Sequence, residues 1–229
     1  QYKWARHFWT MFKMIAGMEM PIEVRGDPIE GDQFIIVLNH RTAVDHLVAA
    51  RVFKRVGLDD VRWVVKEQMR RAPVYGGVLE RAGFAFVSRK GKLEDCEGIS
   101  RMALGAFLED ASVAIYPEGT RFNGTPRDSS LYRALNNPHL GGFRAMCENL
   151  PKVPILVVCL DWGSIGSGGK TMWDGEAFVG RHARCIIWQE ENPGADDAEV
   201  FLARTWGTMD DILKRNFLQS DFERQVAAR

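Results

Sequence analysis

This sequence has no run of about 18 apolar residues, the least that a bilayer-spanning helix needs. Net charge is missing too: 30 Lys and Arg balance 30 Asp and Glu. No overall field therefore draws the chain to nucleic acid, and no nucleic-acid partner is expected. Cysteine is scarce, and Cys96, Cys147, Cys159 and Cys185 show no paired metal-ligand spacing. Free thiols in a reducing compartment, and no bound metal, are the expectation. Internal repeats and low-complexity segments are absent, which excludes solenoids and arrays. No secretory signal is expected, and the start at Gln1 rather than Met leaves room for an upstream segment or anchor.

What the chain has in quantity is apolar surface. A hydrophobic fraction of 46% over 229 residues is enough for a sizeable core, and we read one large domain. The balanced charge is unevenly placed: between Arg51 and Lys92 eleven Lys and Arg face four acids, Asp59, Asp60, Glu67 and Glu80. Such an excess suits a solvated basic face, and it equally suits a surface for an anionic substrate or membrane. Near the start, Trp4, Phe8, Met11, Phe12 and Ile15 fall on one helical stripe flanked by Lys3, Arg6 and Lys13. That stripe fits a core-packed helix and also an interfacial one, because indoles favour the headgroup level and cations favour anionic lipid. The division adopted is an amphipathic membrane-interface helix over 1–20 and an α/β domain over 21–229.

Further along, short apolar runs alternate with helical periodicity. Strands are predicted over 22–25, 34–38, 61–66, 84–88, 113–116, 153–160 and 183–188. Helices are predicted over 47–56, 74–82, 93–109, 143–150 and 198–217, with 121–138 a polar loop or a poorly ordered helix. Alternation at this spacing calls for a largely parallel or mixed central sheet with helices on both faces.

Two strand ends carry the chemistry. After Phe34-Ile35-Ile36-Val37-Leu38 come Asn39, His40 and, five residues beyond the histidine, Asp45. A neutral imidazole can take a proton near pH 7, and a carboxylate at its other nitrogen would hold the tautomer and stabilise the imidazolium. His40 and Asp45 are therefore a candidate general base with its orienter, although composition alone could produce the spacing. After Val113-Ala114-Ile115 come Tyr116-Pro117-Glu118-Gly119-Thr120-Arg121, where a glycine backbone, a hydroxyl and a guanidinium share one loop. That combination suits a phosphate or another oxyanion, and a plain turn with an exposed arginine would look the same. A third strand, Gly83 to Ser88, delivers Arg89 to its edge. Two other patterns are decoys. Ser164 to Thr171 ends in Gly-Lys-Thr but has serine where a phosphate-binding loop opens on glycine. His46 and His139 could join His40 and Asp45 as metal ligands, against the commoner case of a hydrogen-bonded histidine.

Taken together, these segments resemble the glycerolipid acyltransferase superfamily. Asn39, His40 and Asp45 match its first motif, Gly83 to Arg89 its second, Tyr116 to Arg121 its third, and the Val153-Pro154-Ile155 strand its fourth. The resemblance implies transfer of a fatty acyl group from an acyl thioester to the free hydroxyl of a lysophospholipid or lysophosphatidic acid. His40 would be the base and Asp45 its orienter. Lys66, Arg89, Glu118, Gly119, Thr120 and Arg121 would bind the acceptor, and Val153 and Pro154 would shape the acyl side. Glu118, unable to attract phosphate, would hold Arg121 or another cation, or a glycerol hydroxyl. No cofactor is implied beyond acyl-CoA, or acyl carrier protein in its place, as co-substrate. The implied partners are the lysophospholipid acceptor and a membrane lipid surface, with the protein peripheral or anchored on the cytoplasmic face. Arg41 and Thr42 are closer to the lysophosphatidylinositol and lysocardiolipin branch. A non-catalytic lipid-binding or tethering protein retaining the fold is the competing reading.

Overall fold

The computed structural model describes residues 20–42, 44–72, 75–88, 93–125, 130–162 and 183–227, with side chains in the last helix as far as Arg215. The striped segment at 2–17, Arg89 and the Ser164 to Thr171 loop lie outside the described residues.

Seven strands form one sheet: β1 (Ile22–Val24), β2 (Ile35–Leu38), β3 (Val61–Lys66), β4 (Ala85–Val87), β5 (Ser112–Ile115), β6 (Ile155–Asp161) and β7 (Arg184–Glu190). Their order is β1-β7-β6-β2-β5-β3-β4. From β6 to β4 every neighbour is parallel, whereas β7 runs antiparallel to β6 and carries β1 parallel at its outer side. The sheet is thus mixed, with a parallel heart.

Period-two alternation sends the strand side chains to two separate cores. Ile35, Val37, Val113, Ile115, Ile155 and Val157 face one side, and Ile36, Leu38, Ala114, Leu156 and Val158 face the other. Neither face is left to solvent, which is why β2 and β6 read as unbroken apolar runs and not as alternating ones. Each fully buried aliphatic side chain stabilises the fold by roughly 1.5–3 kcal/mol relative to exposure. Among the described helices, α1 (Asp45–Arg55) covers the second face with Leu47, Val48, Val52 and Phe53. The first face is covered by α3 (Leu93–Leu108), α4 (Leu140–Asn149) and α5 (Ala198–Ala227). A short α2 (Tyr75–Arg81) follows a 3-10 turn at Glu67–Arg71. Gly76 sits where a Cβ would lie 1.9 Å from the Arg70 carbonyl oxygen, so only glycine lets α2 pack on that turn. None of the described helices is long and apolar enough to cross a membrane.

Candidate active site

Strands β2, β5, β3 and β6 all deliver their carboxyl ends to one edge of the sheet, the usual address for chemistry in α/β folds. Asn39 follows β2 there. Its side-chain amide donates to the Leu160 carbonyl at 2.9 Å and its carbonyl accepts from the Leu160 N–H at 2.6 Å, standing in for a strand rung. The backbone is released immediately afterwards, and His40 opens the loop.

His40 Nδ1 lies 2.8 Å from Asp45 Oδ2, with Asp45 wholly buried and the imidazole one-fifth exposed. Asp45 is the first residue of α1, where the helix dipole favours a negative charge. Four further donors converge on it. Oδ2 also accepts from the backbone N–H groups of Arg41 at 2.6 Å and Thr42 at 2.9 Å. Oδ1 accepts from Thr42 Oγ1 at 2.7 Å and from Trp162 Nε1 at 2.8 Å. Burial pushes this carboxyl up, but the bonds from His40 and Thr42 outweigh it and hold Asp45 below its ordinary value. A carboxylate so placed accepts the Nδ1 proton of the imidazole, which assigns the tautomer and leaves Nε2 as the basic nitrogen. The ring itself is stacked on Tyr116, centroids 4.3 Å apart, and Tyr116 is stacked in turn on Trp63 at 5.1 Å.

The loop after β5 closes over the same edge. Gly119 adopts φ +64°, and a Cβ there would come within 3.2 Å of the His139 ring, so this position needs glycine on both counts. Phe122 N–H donates to the His40 carbonyl at 2.8 Å, tying the two strand ends together. Glu118 points inward: Oε1 accepts from the His40 N–H at 2.6 Å and Oε2 from the Asn136 N–H at 2.8 Å. Its burial raises the carboxyl to about 8, against the pull of these N–H groups and of Arg41. The cation near Glu118 is thus Arg41, a buried guanidinium that donates to the Ala134 carbonyl at 2.9 Å and lies 5.0 Å over the Phe122 ring. Desolvation lowers the Arg41 pKa, and Glu118 and Asp45 work against that.

The edge therefore gathers His40, Asp45, Glu118, Gly119, Thr120, Arg121 and, at the carboxyl end of β3, an exposed Lys66. Thr120 and Arg121 are half-buried at its rim. Val153 and Pro154 do not join them at this edge. Both precede β6, and the Pro154 carbonyl accepts from Ile35 N–H at the opposite end of β2. Five residues of strand rise, about 16 Å, separate that end from His40. Motif order in the sequence does not say which edge of the sheet a strand's flanking residue occupies. Thr42 and Tyr116, already read beside the motifs, and Trp162 and Asn136, which were not legible in the sequence, complete the site's surroundings. A buried carboxylate demands donors, but nothing in the sequence names which distant indole or amide supplies them.

Among the described residues, no three His, Cys, Asp or Glu side chains converge as a metal site. Two open hollows, lined by Met20, Ile22, Arg51 and Lys54 and by Val24, Pro28, Ile29 and Val56, contain neither member of the dyad.

Known proteins share both the sequence pattern and the fold. The sequence model of the family described as Acyltransferase matches residues 21–161. A 1-acyl-sn-glycerol-3-phosphate acyltransferase epsilon of Mus musculus is 32% identical over 119 residues, 50% of this chain and 32% of that protein. Lysocardiolipin acyltransferase 1 of Mus musculus is 29% identical over 143 residues, 56% of this chain and 38% of that one. The chain spans about a third of the length of these curated relatives. The crystal structure of the 1-acyl-sn-glycerophosphate (LPA) acyltransferase PlsC from Thermotoga maritima shares the fold. It superposes with a TM-score of 0.54 at 17% identity, covering 92% of this chain and 79% of that one.

Proposed function

The chain belongs to the acyltransferase family, and from that premise we propose that it esterifies the free glycerol hydroxyl of a lysophospholipid or lysophosphatidic acid with an acyl group from acyl-CoA. The observation that carries this reading is the 2.8 Å contact between His40 Nδ1 and a fully buried Asp45. A lipid tether has no use for an imidazole whose second nitrogen is left basic by a five-donor carboxylate.

In the proposed step, His40 Nε2 accepts the hydroxyl proton as the oxygen attacks the thioester carbonyl. The new ester C–O bond forms, the C–S bond breaks, and the imidazolium returns its proton to the departing thiolate. Asp45 holds the ring and stabilises its charge throughout. No covalent enzyme intermediate is needed, because the acceptor alcohol is the nucleophile. Arg121, with Thr120 and the Gly119 backbone, is assigned to the acceptor's phosphate, and Lys66 and Arg89 to the same anionic headgroup. Glu118, turned inward on two backbone N–H groups, serves the loop and not the ligand.

The acceptor is an amphiphile, so the proposed place of work is a membrane surface. The direct test incubates the purified chain with acyl-CoA and vesicles carrying one lysophospholipid at a time. Thiol release and the diacyl product are followed, and the protein that sediments with the vesicles is measured. Thiol release matched by ester formation is the expected result. Sedimentation with no transfer to any acceptor would leave the tether reading in its place.

A further inference from the structure

The matched family region stops at residue 161, yet the dyad's surroundings are held from α5, which begins at Ala198. Asp210 on that helix is buried and accepts two backbone N–H groups of the 133–136 loop. Its Oδ1 takes Ala134 N–H at 2.6 Å and Arg133 N–H at 3.0 Å, and its Oδ2 lies 3.2 Å from the latter. One turn earlier, Trp206 donates through Nε1 to the Asn136 carbonyl at 3.1 Å. Residues four apart share a helix face, so both reach the same loop. Lys214, a further turn along, pairs with Asp210 at 2.5 Å on the outer side.

The other side of this loop faces the dyad by two routes. The Ala134 carbonyl receives Arg41 Nη1, and the Arg41 backbone N–H donates to Asp45. The Asn136 N–H donates to Glu118, whose other oxygen receives the His40 N–H. Each route runs from α5 to the dyad through one loop residue and one buried ionisable side chain, Arg41 or Glu118. The loop has no helix or strand of its own among its described residues, so its shape depends on these anchors.

We infer that Asp210 and Trp206 are positioning residues for the His40 base, setting where its backbone sits through the 133–136 loop, Arg41 and Glu118. This rests on His40 being the base of the acyl transfer proposed above. Misplacing a reacting group by about 1 Å can cost as much as a hundredfold in rate. Asp210→Ala is therefore expected to lower kcat by about tenfold with KM for acyl-CoA unchanged. Asp210→Asn, whose amide oxygen can accept the same N–H groups, should recover to within about threefold of wild type.

The comparison variant is Leu213→Ala, a buried core truncation on the same helix, assayed well below both melting temperatures. It should lower Tm and spare kcat. Equal kcat losses in Asp210→Ala and Leu213→Ala, or none in Asp210→Ala, would overturn the inference. Should Asp210→Ala not fold, Trp206→Phe keeps the ring and removes only the Nε1 donor. A kcat loss of about threefold is then expected, and a wild-type kcat overturns the inference. The His40 Nδ1–H resonance in NMR separates this idea from the reaction itself. If wild type transfers no acyl group, the proposed function fails. Faster water exchange of that proton in Asp210→Ala would then still support the positioning role, and unchanged exchange would sink it.

Discussion

His40→Ala is expected to lower acyl transfer by at least about a thousandfold while the chain stays folded, because no other described group at that edge offers a basic nitrogen against a buried carboxylate. The imidazole is one-fifth exposed and stacked on Tyr116, so its removal opens a cleft at the rim and not a void in either core. Asp45→Asn should cost a comparable factor by a different path. The amide offers N–H where Nδ1–H and four other donors already point, so the ring loses its tautomer and its hold. At least one buried donor then lacks an acceptor, and stability should fall by about 1 to 3 kcal/mol. Steady-state rates with acyl-CoA, paired with urea unfolding of each variant, check both halves. Transfer by His40→Ala at the wild-type rate would remove the general-base assignment.

The second large effect concerns pH and stability. Burial raises Glu118 from 4.5 to about 8 in the folded chain. Between those values the folded state keeps a proton that the unfolded chain has released. Stability contributed by this group is present below about pH 4.5, declines as pH rises, and is gone once pH passes about 8. Each pH unit across that window is worth about 1.4 kcal/mol, so the whole loss is on the order of 5 kcal/mol. Glu118→Gln cannot titrate. The difference in unfolding free energy between wild type and Glu118→Gln, measured from pH 5 to pH 9, should therefore slope against wild type as pH rises. Parallel curves for the two proteins would contradict the assignment. Asp45 works in the opposite sense. Its carboxyl is held below the ordinary value, so its contribution is lost only as pH falls through the acidic range.

The parallel heart of the fold was legible because strands buried on both faces must be apolar, as in Ile35–Leu38 and in β6 from Ile155 to Leu160. β3 was found residue for residue at Val61–Lys66. Its flanking 3-10 turn at Glu67–Arg71 was not, since five residues with no buried member carry no periodicity. Strand order was equally out of reach. β1 pairs Ile22 with Cys185, more than 160 residues away, and any apolar strand could have occupied that edge. At the site, His40 and Asp45 were legible because their relation is local, five residues across one strand end. Trp162 lies 117 residues from Asp45, and the N–H groups of Asn136 and Ala134 are ones that every non-proline residue carries. A backbone donor leaves no trace in a sequence, which is why the inward role of Glu118 became visible only with its partners.

The stack of His40, Tyr116 and Trp63 puts one indole at the far end of the base's aromatic stack, and Trp162 puts another directly on its carboxylate. Indole emission responds to ring stacking and hydrogen bonding, so the intrinsic fluorescence of this chain should change when the stack loses its imidazole. Emission spectra of wild type beside His40→Ala read that component directly, and identical spectra would mean that the stack is optically silent. If the spectra differ, mixing the chain with acyl-CoA and a lysophospholipid acceptor turns the light signal into a clock. Rearrangement around the base could then be timed within a single turnover, with no label attached.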